Sequence, residues 1–437
     1  MLEFPKIIQG GMGVGISNWR LAQAVSCTGQ LGVVSGTALD QVFVRRLADG
    51  DPGGFLRRSL NAFPFPGIAR RLLDDYFIPG GKPAHAPYPT LPMCLHRPLL
   101  RRIEISIAAN FAEVWLARQG HSNQVGINFL EKVQLPHLAS IYGAMLAGVG
   151  WVLMGAGIPI HIPGVLDAFA VRHPAKYKLS VTGAVPGEGE DATLHFDPAD
   201  YAEGPLPVLT RPQFLVIVSS HTLAATLLRR ANGRVDGFVV ESPTAGGHNA
   251  PPRGKMQLTN AGEPLYGIRD RVDLAEIRAL DVPFWLAGGY SSHARLAEAL
   301  AEGATGVQVG TAFALTNESG LREDLKRALL TEVAAGRGRV LTDPLASPTG
   351  FPFKVAQVAG TASDPAVINK RSRVCDLGFL REAYTLSDGA IGYRCSAEPV
   401  ASYVRKGGAE DATFGRKCLC NALLANIGQA QIRPDGM

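Results

Sequence analysis

The sequence predicts an α/β fold: a closed (β/α)8 barrel with inserted segments and a C-terminal extension. Three observations favour it. Short apolar runs rich in branched residues alternate with helix-like segments along most of the 437 residues. Eight such runs occur, and each is almost continuously apolar, as strands buried on both faces are. Several of them end at glycine. A doubly wound open sheet is the alternative, because strands are easily miscounted in a single sequence.

The predicted elements follow one another in a regular order. The strands are residues 6–9, 32–35, 125–130, 151–154, 214–219, 237–241, 284–287 and 306–309. The helices between and after them are residues 18–27, 105–119, 136–146, 222–231, 293–302 and about 320–335. Ser17 or Asn18 is expected to cap the first helix, because both side chains accept hydrogen bonds from orphan backbone N–H groups.

Two segments exceed what a simple barrel needs. Residues 38–104 are rich in proline and glycine and are expected to form an excursion with short helices. Residues 177–213 are a second insert, whose alternating polar and apolar residues predict a β-hairpin around Gly187 and Gly189. No period of 20–50 residues repeats along the chain, so a solenoid is not expected.

Composition and charge argue against a nucleic-acid-binding, membrane-spanning or secreted protein. The net charge is +5, but no five like charges follow one another, which favours solvated helix faces over a nucleic-acid surface. No apolar stretch reaches the length of a membrane span, and the first residues do not resemble a secretion signal. Six scattered cysteines fit reduced thiols, so a cytoplasmic location is expected. A homo-oligomer is compatible with all of this.

The C-terminal extension, residues 338–437, follows a barrel expected to span residues 1–337 and is expected to pack across it. Cys418 and Cys420 have a spacing that can share a metal, but two distant cysteines would have to complete four ligands. Buried thiols are therefore the expectation, with no metal site. Two basic residues precede Cys418 and would lower a thiol pKa if their charges lay close. The extension contains four of the six cysteines, Cys375, Cys395, Cys418 and Cys420.

Glycine is concentrated at the predicted carboxyl ends of the strands, which is the active-site face of such barrels. Glycine lets a backbone approach a ligand and point N–H groups at anionic oxygens. Any one of these glycines could simply end a strand, but together they favour a phosphate-bearing cofactor, especially after the last two strands. The residues are Gly10, Gly11, Gly13, Gly155, Gly157, Gly246, Gly247, Gly288, Gly289 and Gly310 with Thr311.

His248 stands directly after one of these glycine pairs, at the end of the sixth strand. Imidazole titrates near neutral pH, so a histidine facing a cofactor could remove a proton from a carbon acid. A purely structural, hydrogen-bonded histidine is the alternative.

Four motifs in this order resemble the nitronate monooxygenase family, once called 2-nitropropane dioxygenases. They are KIIQGGMGVG at residues 6–15, TAGGH at 244–248, AGGY at 287–290 and GVQVGTAF at 306–313. The resemblance spans about residues 5–335. It implies a TIM barrel that binds FMN without a covalent bond, and a small-molecule substrate.

The resemblance also implies roles for individual residues. Gly11, Met12 and Gly13 match the segment beside the isoalloxazine ring, and Asn128 matches a polar flavin contact. His248 matches the histidine used as general base or placed near the substrate. Gly246 and Gly247 match backbone close to the flavin, and the phosphate-binding loops match Gly288, Gly289, Gly310 and Thr311.

The activity implied is oxidation of an alkyl nitronate with O2 to a carbonyl compound and nitrite. The proline-rich turn after His248, the insert at 38–104 and the long extension depart from the family pattern. They are more like flavin barrels of polyunsaturated fatty acid and polyketide synthesis, so an NAD(P)H-dependent enoyl-thioester reductase is the alternative function. A non-catalytic flavin-binding partner in a synthase is a further one. An inosine-monophosphate-dehydrogenase-like barrel would need a nucleophilic cysteine after strand six, and residues 242–248 contain none.

Overall fold

The computed structural model describes residues 4–183 and 192–433. Its strands are β1 (Ile7–Gln9), β2 (Gly32–Ser35), β3 (Val125–Leu130), β4 (Trp151–Gly155), β5 (Ala175–Lys178), β6 (Val181–Thr182), β7 (Thr193–Phe196), β8 (Gln213–Val218), β9 (Gly237–Glu241), β10 (Phe284–Ala287), β11 (Gly306–Val309), β12 (Val340–Asp343), β13 (Phe353–Ala356), β14 (Glu382–Thr385) and β15 (Ile391–Arg394).

The α-helices are α1 (Trp19–Cys27), α2 (Leu39–Ala48), α3 (Phe55–Asn61), α4 (Pro66–Tyr76), α5 (Leu100–Ala117), α6 (His137–Leu146), α7 (Ile162–Ala170), α8 (His221–Arg230), α9 (Leu274–Arg278), α10 (His293–Ala301), α11 (Thr311–Ala314), α12 (Glu323–Ala334), α13 (Pro365–Ile368), α14 (Val400–Arg405) and α15 (Leu419–Asn426). Within the described residues, none of these helices is long and apolar enough to cross a membrane.

Eight parallel strands form one sheet in the order β1-β11-β10-β9-β8-β4-β3-β2. The two ends of this sheet, β1 and β2, meet through two backbone hydrogen bonds. The N–H of Gln9 donates to the Leu31 carbonyl at 2.9 Å, and the N–H of Leu31 donates to the Ile7 carbonyl at 3.1 Å. The sheet is therefore a closed barrel with helices between its strands. The (β/α)8 prediction is confirmed, and the open-sheet alternative is wrong.

The eight predicted strands agree with the structure to within a residue, but one helix begins earlier than predicted. Helix α5 starts at Leu100 rather than at 105, because its charged first turns are buried instead of solvated. Arg102 pairs with Asp40 of α2 at 2.6 Å. Glu104 pairs with Arg71 of α4 at 2.5 Å, so charges that read as a linker belong to a packed helix.

The apolar residues separate into a barrel interior and a layer between strands and helices. The interior is closed at the amino ends of the strands by Trp151 and Trp285, whose rings meet edge to face at 5.9 Å between centroids. The Trp285 indole N–H donates to the Pro5 carbonyl at 2.7 Å. The interior cluster is Ile8, Leu31, Val33, Trp151, Leu153, Leu215, Val239, Trp285 and Ala287.

Both inserts contain regular structure. Helices α2 to α4 occupy much of residues 38–104, and α5 packs against α2 and α3. Strands β5 and β7 pair antiparallel, as a hairpin requires, while Gly187 and Gly189 lie outside the described residues. Strand β6 of the second insert pairs with β14, so this insert is joined to the C-terminal extension.

The C-terminal extension packs against the loops at the carboxyl ends of the barrel strands. Its residues Leu377, Phe379 and Leu424 share a cluster with Val14 and Val42. Hydrophobic burial of this kind is non-directional, and it stabilises the extension against the barrel. The contacts with the loop after β9 are polar as well, and they involve the candidate site.

Candidate active site at the barrel mouth

A row of inward-facing positions crosses the carboxyl ends of three neighbouring strands. Glu241 of β9 pairs laterally with Ala287 of β10, and Ala287 pairs with Gln308 of β11. Laterally paired residues of parallel strands face the same side of a sheet, and Ala287 belongs to the interior cluster. Glu241 and Gln308 therefore point into the barrel mouth on either side of a small alanine.

Two amide side chains at the mouth lack partners among the described residues. The Gln308 Oε1 atom is buried and accepts no hydrogen bond. Asn128 pairs laterally with the interior residue Leu153, so it also faces inward, and its side-chain amide makes no hydrogen bond to a described residue. Buried polar groups are nearly always satisfied, so unpaired amides here indicate a place for a polar ligand.

Glu241 is the acidic group of this mouth. Burial raises the pKa of its carboxyl from the ordinary value of 4.5 to about 8, because no described cation or donor compensates the desolvated charge. At neutral pH the carboxyl is thus mostly protonated and can donate a hydrogen bond, a state that enzymes use to stabilise developing negative charge.

The loop after β1 reaches the mouth because it carries glycine. A Cβ atom on Gly11 would lie 2.3 Å from the Cβ of Asn128, so only glycine lets this loop touch the end of β3. Gly13 has a φ of 56°, in the left-handed region that favours glycine. A Cβ on Gly310 would lie 3.6 Å from the Met12 sulfur, so the loops after the first and last barrel strands meet.

The loop after β9 and the loop after β10 lie against each other. A Cβ on Gly288 would come within 2.2 Å of the Ser242 hydroxyl, so glycine is required for this contact. Gly246, Gly247 and Gly289 are exposed, with no atom closer than 3.9 Å to a Cβ built on any of them. Their backbone is open to an approaching ligand.

The loop after β11 leads directly into a helix. Gly310 precedes the four-residue helix α11, which begins at Thr311, and Thr311 is exposed. Longer helix α10 follows the Gly288–Gly289 turn, and its N-cap Ser292 accepts a hydrogen bond from the Arg295 N–H. Both glycine turns therefore open into helices on the face where the unpaired amides lie.

His248 is half-buried and is held by the C-terminal extension. Its Nε2 atom lies 2.7 Å from the hydroxyl oxygen of Ser347, which is itself fully buried. Its ring packs on Phe353 with 4.7 Å between centroids. Burial lowers the pKa of the imidazole to about 4, so His248 is neutral at physiological pH.

The extension reaches His248 as a short paired segment, here called the strap, residues 347–354. The N–H of Lys354 donates to the Gly247 carbonyl, and the N–H of Asn249 donates to the Pro352 carbonyl, each at 2.9 Å. The strap covers the histidine and fixes the backbone next to it. It thereby connects the predicted catalytic residue to a part of the chain about one hundred positions away.

The structure thus brings Gly11, Met12, Asn128 and Gly310 together at one mouth, and joins Gly288 to the loop that carries His248. Sequence reasoning missed Glu241, Gln308 and Ser347 as site residues. A polar residue at an inward position near the end of an apolar strand was an available signal for the first two. Ser347 gave none, because its partner lies far along the chain.

Comparison with known families gives a match in the second half of the barrel. Residues 199–339 match the family model described as nitronate monooxygenase. A probable nitronate monooxygenase of Bacillus subtilis is 35% identical over 115 residues, which are 26% of this chain and 31% of the relative. A (3aS,4S,5R,7aS)-5-hydroxy-7a-methyl-1-oxo-octahydro-1H-indene-4-carboxyl-CoA dehydrogenase of Rhodococcus jostii is 30% identical over 116 residues, which are 26% of this chain and 29% of the relative. These matches cover less than a third of either relative.

Solved structures with similarity include FabK from Thermotoga maritima, at 17% identity and a TM-score of 0.43, over 84% of this chain and 73% of that one. Nitroalkane oxidase from Streptomyces ansochromogenes is at 17% identity and a TM-score of 0.40, over 98% and 96% of the two chains. The matched segment of the sequence contains strands β8 to β11, the TAGGH and AGGY turns and His248. Residues 199–339 of this chain are therefore similar to the nitronate monooxygenase family.

Proposed function

We propose that this protein is an FMN-dependent oxidoreductase of the cytoplasm that oxidises alkyl nitronates with O2 to a carbonyl compound and nitrite. The observation that carries the proposal is the barrel mouth, where open glycine backbone surrounds inward-facing polar side chains without partners. The match of residues 199–339 to the nitronate monooxygenase family model supports the same reaction class.

The residues present fit a flavin mononucleotide. The unpaired amides of Asn128 and Gln308 supply donors and acceptors for the polar edge of a flavin ring. In the turns after β10 and β11, the exposed residues Gly289 and Thr311 offer backbone to a phosphate. When bound, FMN supplies the redox chemistry, and the protein supplies binding, orientation and electrostatics.

His248 is proposed to act on the proton of the substrate. If its Nε2–H donates to the Ser347 hydroxyl, that hydroxyl can donate in turn to Thr349 Oγ1, 2.8 Å away. The Nδ1 atom then carries the free lone pair and is the basic atom. Ser347 has the role of a positioning residue, because it selects the tautomer without touching substrate.

The low pKa of His248 bears on the substrate. A neutral imidazole with a pKa of about 4 is a weak base for a carbon acid, although a bound anion beside it would raise that pKa. An anionic nitronate needs no such proton transfer. We therefore favour the preformed nitronate as the main substrate, with a neutral nitroalkane as a slower one that depends on His248.

The experiment is anaerobic mixing of the purified, flavin-loaded protein with a nitronate, or with NADPH, while flavin absorbance is followed. The proposal expects rapid bleaching by nitronate alone, then nitrite and carbonyl product when O2 is admitted. Rapid bleaching by NADPH, with no reaction with nitronate, would replace it with the enoyl-thioester reductase. No reduction by either donor would favour a non-catalytic flavin-binding partner.

A further inference from the structure

Four cysteines that are scattered in the sequence of the extension meet at one cavity. Cys375 lies in the loop before β14, and Cys395 directly follows β15. Cys418 precedes α15, and Cys420 lies in its first turn. All four line the same cavity, so the two distant partners that Cys418 and Cys420 need as ligands are present.

The cavity is otherwise apolar. It is small and partly open to solvent. Protein interiors are closely packed, and a void deprives the atoms around it of favourable contacts. Four sulfur atoms around such a space therefore point to an occupant. The other lining residues are Pro348, Leu377, Gly378, Leu380, Ala397 and Leu419.

One of the four sulfur atoms accepts a hydrogen bond from a neighbouring side-chain amide. The Asn421 Nδ2 donates to the Cys418 sulfur at 3.4 Å. Such donors are weak partners for neutral thiols, but they stabilise metal-bound thiolates and tune iron–sulfur sites.

The arrangement does not suit one metal ion. Zinc holds thiolates at about 2.3 Å, which brings tetrahedral sulfur ligands to within about 4 Å of one another. In the described part of the chain, no three or more His, Cys, Asp and Glu side chains are gathered as a single ion would need them. Four cysteines around a shared void instead match the ligand set of a polynuclear cluster.

We propose that Cys375, Cys395, Cys418 and Cys420 bind a [4Fe–4S] cluster in the C-terminal extension. A nucleophilic or redox-active thiol pair is disfavoured, because the nearby cations are used elsewhere. The Arg416 guanidinium donates to the Ser347 carbonyl at 2.6 Å and to the Leu345 carbonyl at 2.8 Å. The Lys417 ammonium donates to the Ala362 carbonyl at 3.3 Å.

A cluster at this place would brace the strap over His248. Pro348 lines the cavity and directly follows Ser347, whose hydroxyl holds the imidazole. Arg416, two residues before Cys418, donates a hydrogen bond to the Ser347 carbonyl. Filling the cavity would therefore fix the segment that positions His248, whatever substrate the barrel takes.

The test is iron and acid-labile sulfide analysis of the full-length protein, purified without oxygen and reconstituted with ferrous iron and sulfide. We expect about four of each per chain and a Mössbauer spectrum of a [4Fe–4S] cluster with ⁵⁷Fe. The double variant Cys418→Ser/Cys420→Ser should lose most of the iron, while the control Cys27→Ser, an exposed cysteine, should keep it.

Wild-type protein that takes up neither iron nor sulfide on reconstitution would overturn the proposal. Wild-type protein that binds one zinc ion per chain instead would also overturn it. So would equal iron in the double variant and in wild type. If the double variant fails to fold, as judged by circular dichroism, the wild-type Mössbauer spectrum decides alone. Metal analysis does not depend on flavin or turnover, so this test and the test of the proposed function can fail separately.

Discussion

At the scale of single residues, two titratable groups near the mouth are shifted in opposite directions by the same cause. Burial lowers the pKa of His248 to about 4 and raises the pKa of Glu241 to about 8. Both groups are therefore mostly neutral at pH 7, one with a free lone pair and the other with a proton to donate. Pairs of groups with displaced pKa values are typical of acid–base sites.

The variant His248→Ala tests the proton-transfer role. Turnover of neutral nitroalkanes should fall by about 10²–10⁴, the usual contribution of a general base, because nothing else at that position accepts the proton. Turnover of preformed nitronates should fall much less, and flavin content should stay unchanged. Steady-state rates with both substrates check this, and equal loss on the two would refute the role.

The variant Glu241→Gln tests the buried carboxyl through stability. The pKa of the Glu241 carboxyl is raised from 4.5 to about 8 in the folded state, so its contribution to the stability of the fold is fully present below pH 4.5. That stability is lost as the pH rises towards 8, because the unfolded chain releases its proton first. The amide carries no such cost, so the variant should gain about 1–3 kcal/mol of unfolding free energy at pH 8 and little at pH 4.5.

Urea unfolding at the two pH values measures this difference. The exposed residue Glu276 of α9 supplies the control, and Glu276→Gln should change stability similarly at both. A Glu241→Gln variant with the same stability change at pH 4.5 and pH 8 would show that the carboxyl ionises normally.

At the scale of elements, glycine residues in the loops after the strands allow the backbones of these loops to approach one another at the barrel mouth. Gly11 and Gly288 are required by contacts within the protein, since a Cβ on either would collide with a neighbour. Gly246, Gly247 and Gly289 would cause no such collision, but Gly247 (φ 79°) and Gly289 (φ 82°) have the left-handed backbone conformation that favours glycine. Gly246 has neither reason within the fold, so open space for a ligand explains it better.

The variant Gly289→Val tests this distinction. Gly289 has a φ of 82°, and a Cβ there meets only the Thr244 hydroxyl at 3.9 Å, so the protein itself has space for a side chain. We expect FMN affinity to fall about 10-fold or more, equivalent to about 1.4 kcal/mol, because the side chain occupies the ligand's approach.

Gly120→Val is the matched control. Gly120 has a φ of 77° and open surroundings, and it lies before β3, on the opposite face of the barrel. It therefore imposes similar backbone strain without touching the mouth. Equal FMN affinity for the two variants, measured by flavin fluorescence titration, would mean that strain and not ligand contact explains any loss.

At the scale of the whole molecule, the barrel was predictable because its signals are local. Each strand is a short buried run bounded by glycine, and hydrophobicity along the chain is enough to find it. The early start of α5 was not predictable, since Arg102 and Glu104 read as solvent-exposed until their partners Asp40 and Arg71 are placed in space.

The candidate site was also predictable only where its residues lie in local motifs. The glycines and His248 stand in local motifs, whereas the contact of His248 with Ser347 joins residues that only the tertiary fold brings together. The convergence of Cys375 and Cys395 on the Cys418 pair has the same origin. The long-range contacts of the extension therefore could not be predicted from the sequence.

The central claim is that the mouth of this barrel binds FMN. Its most direct test is identification and counting of the flavin released by denaturing the purified protein, after saturation with FMN and removal of excess. The account predicts about one FMN per wild-type chain and clearly less for Gly289→Val. A protein that stays colourless and leaves FMN fluorescence unchanged on titration would contradict it.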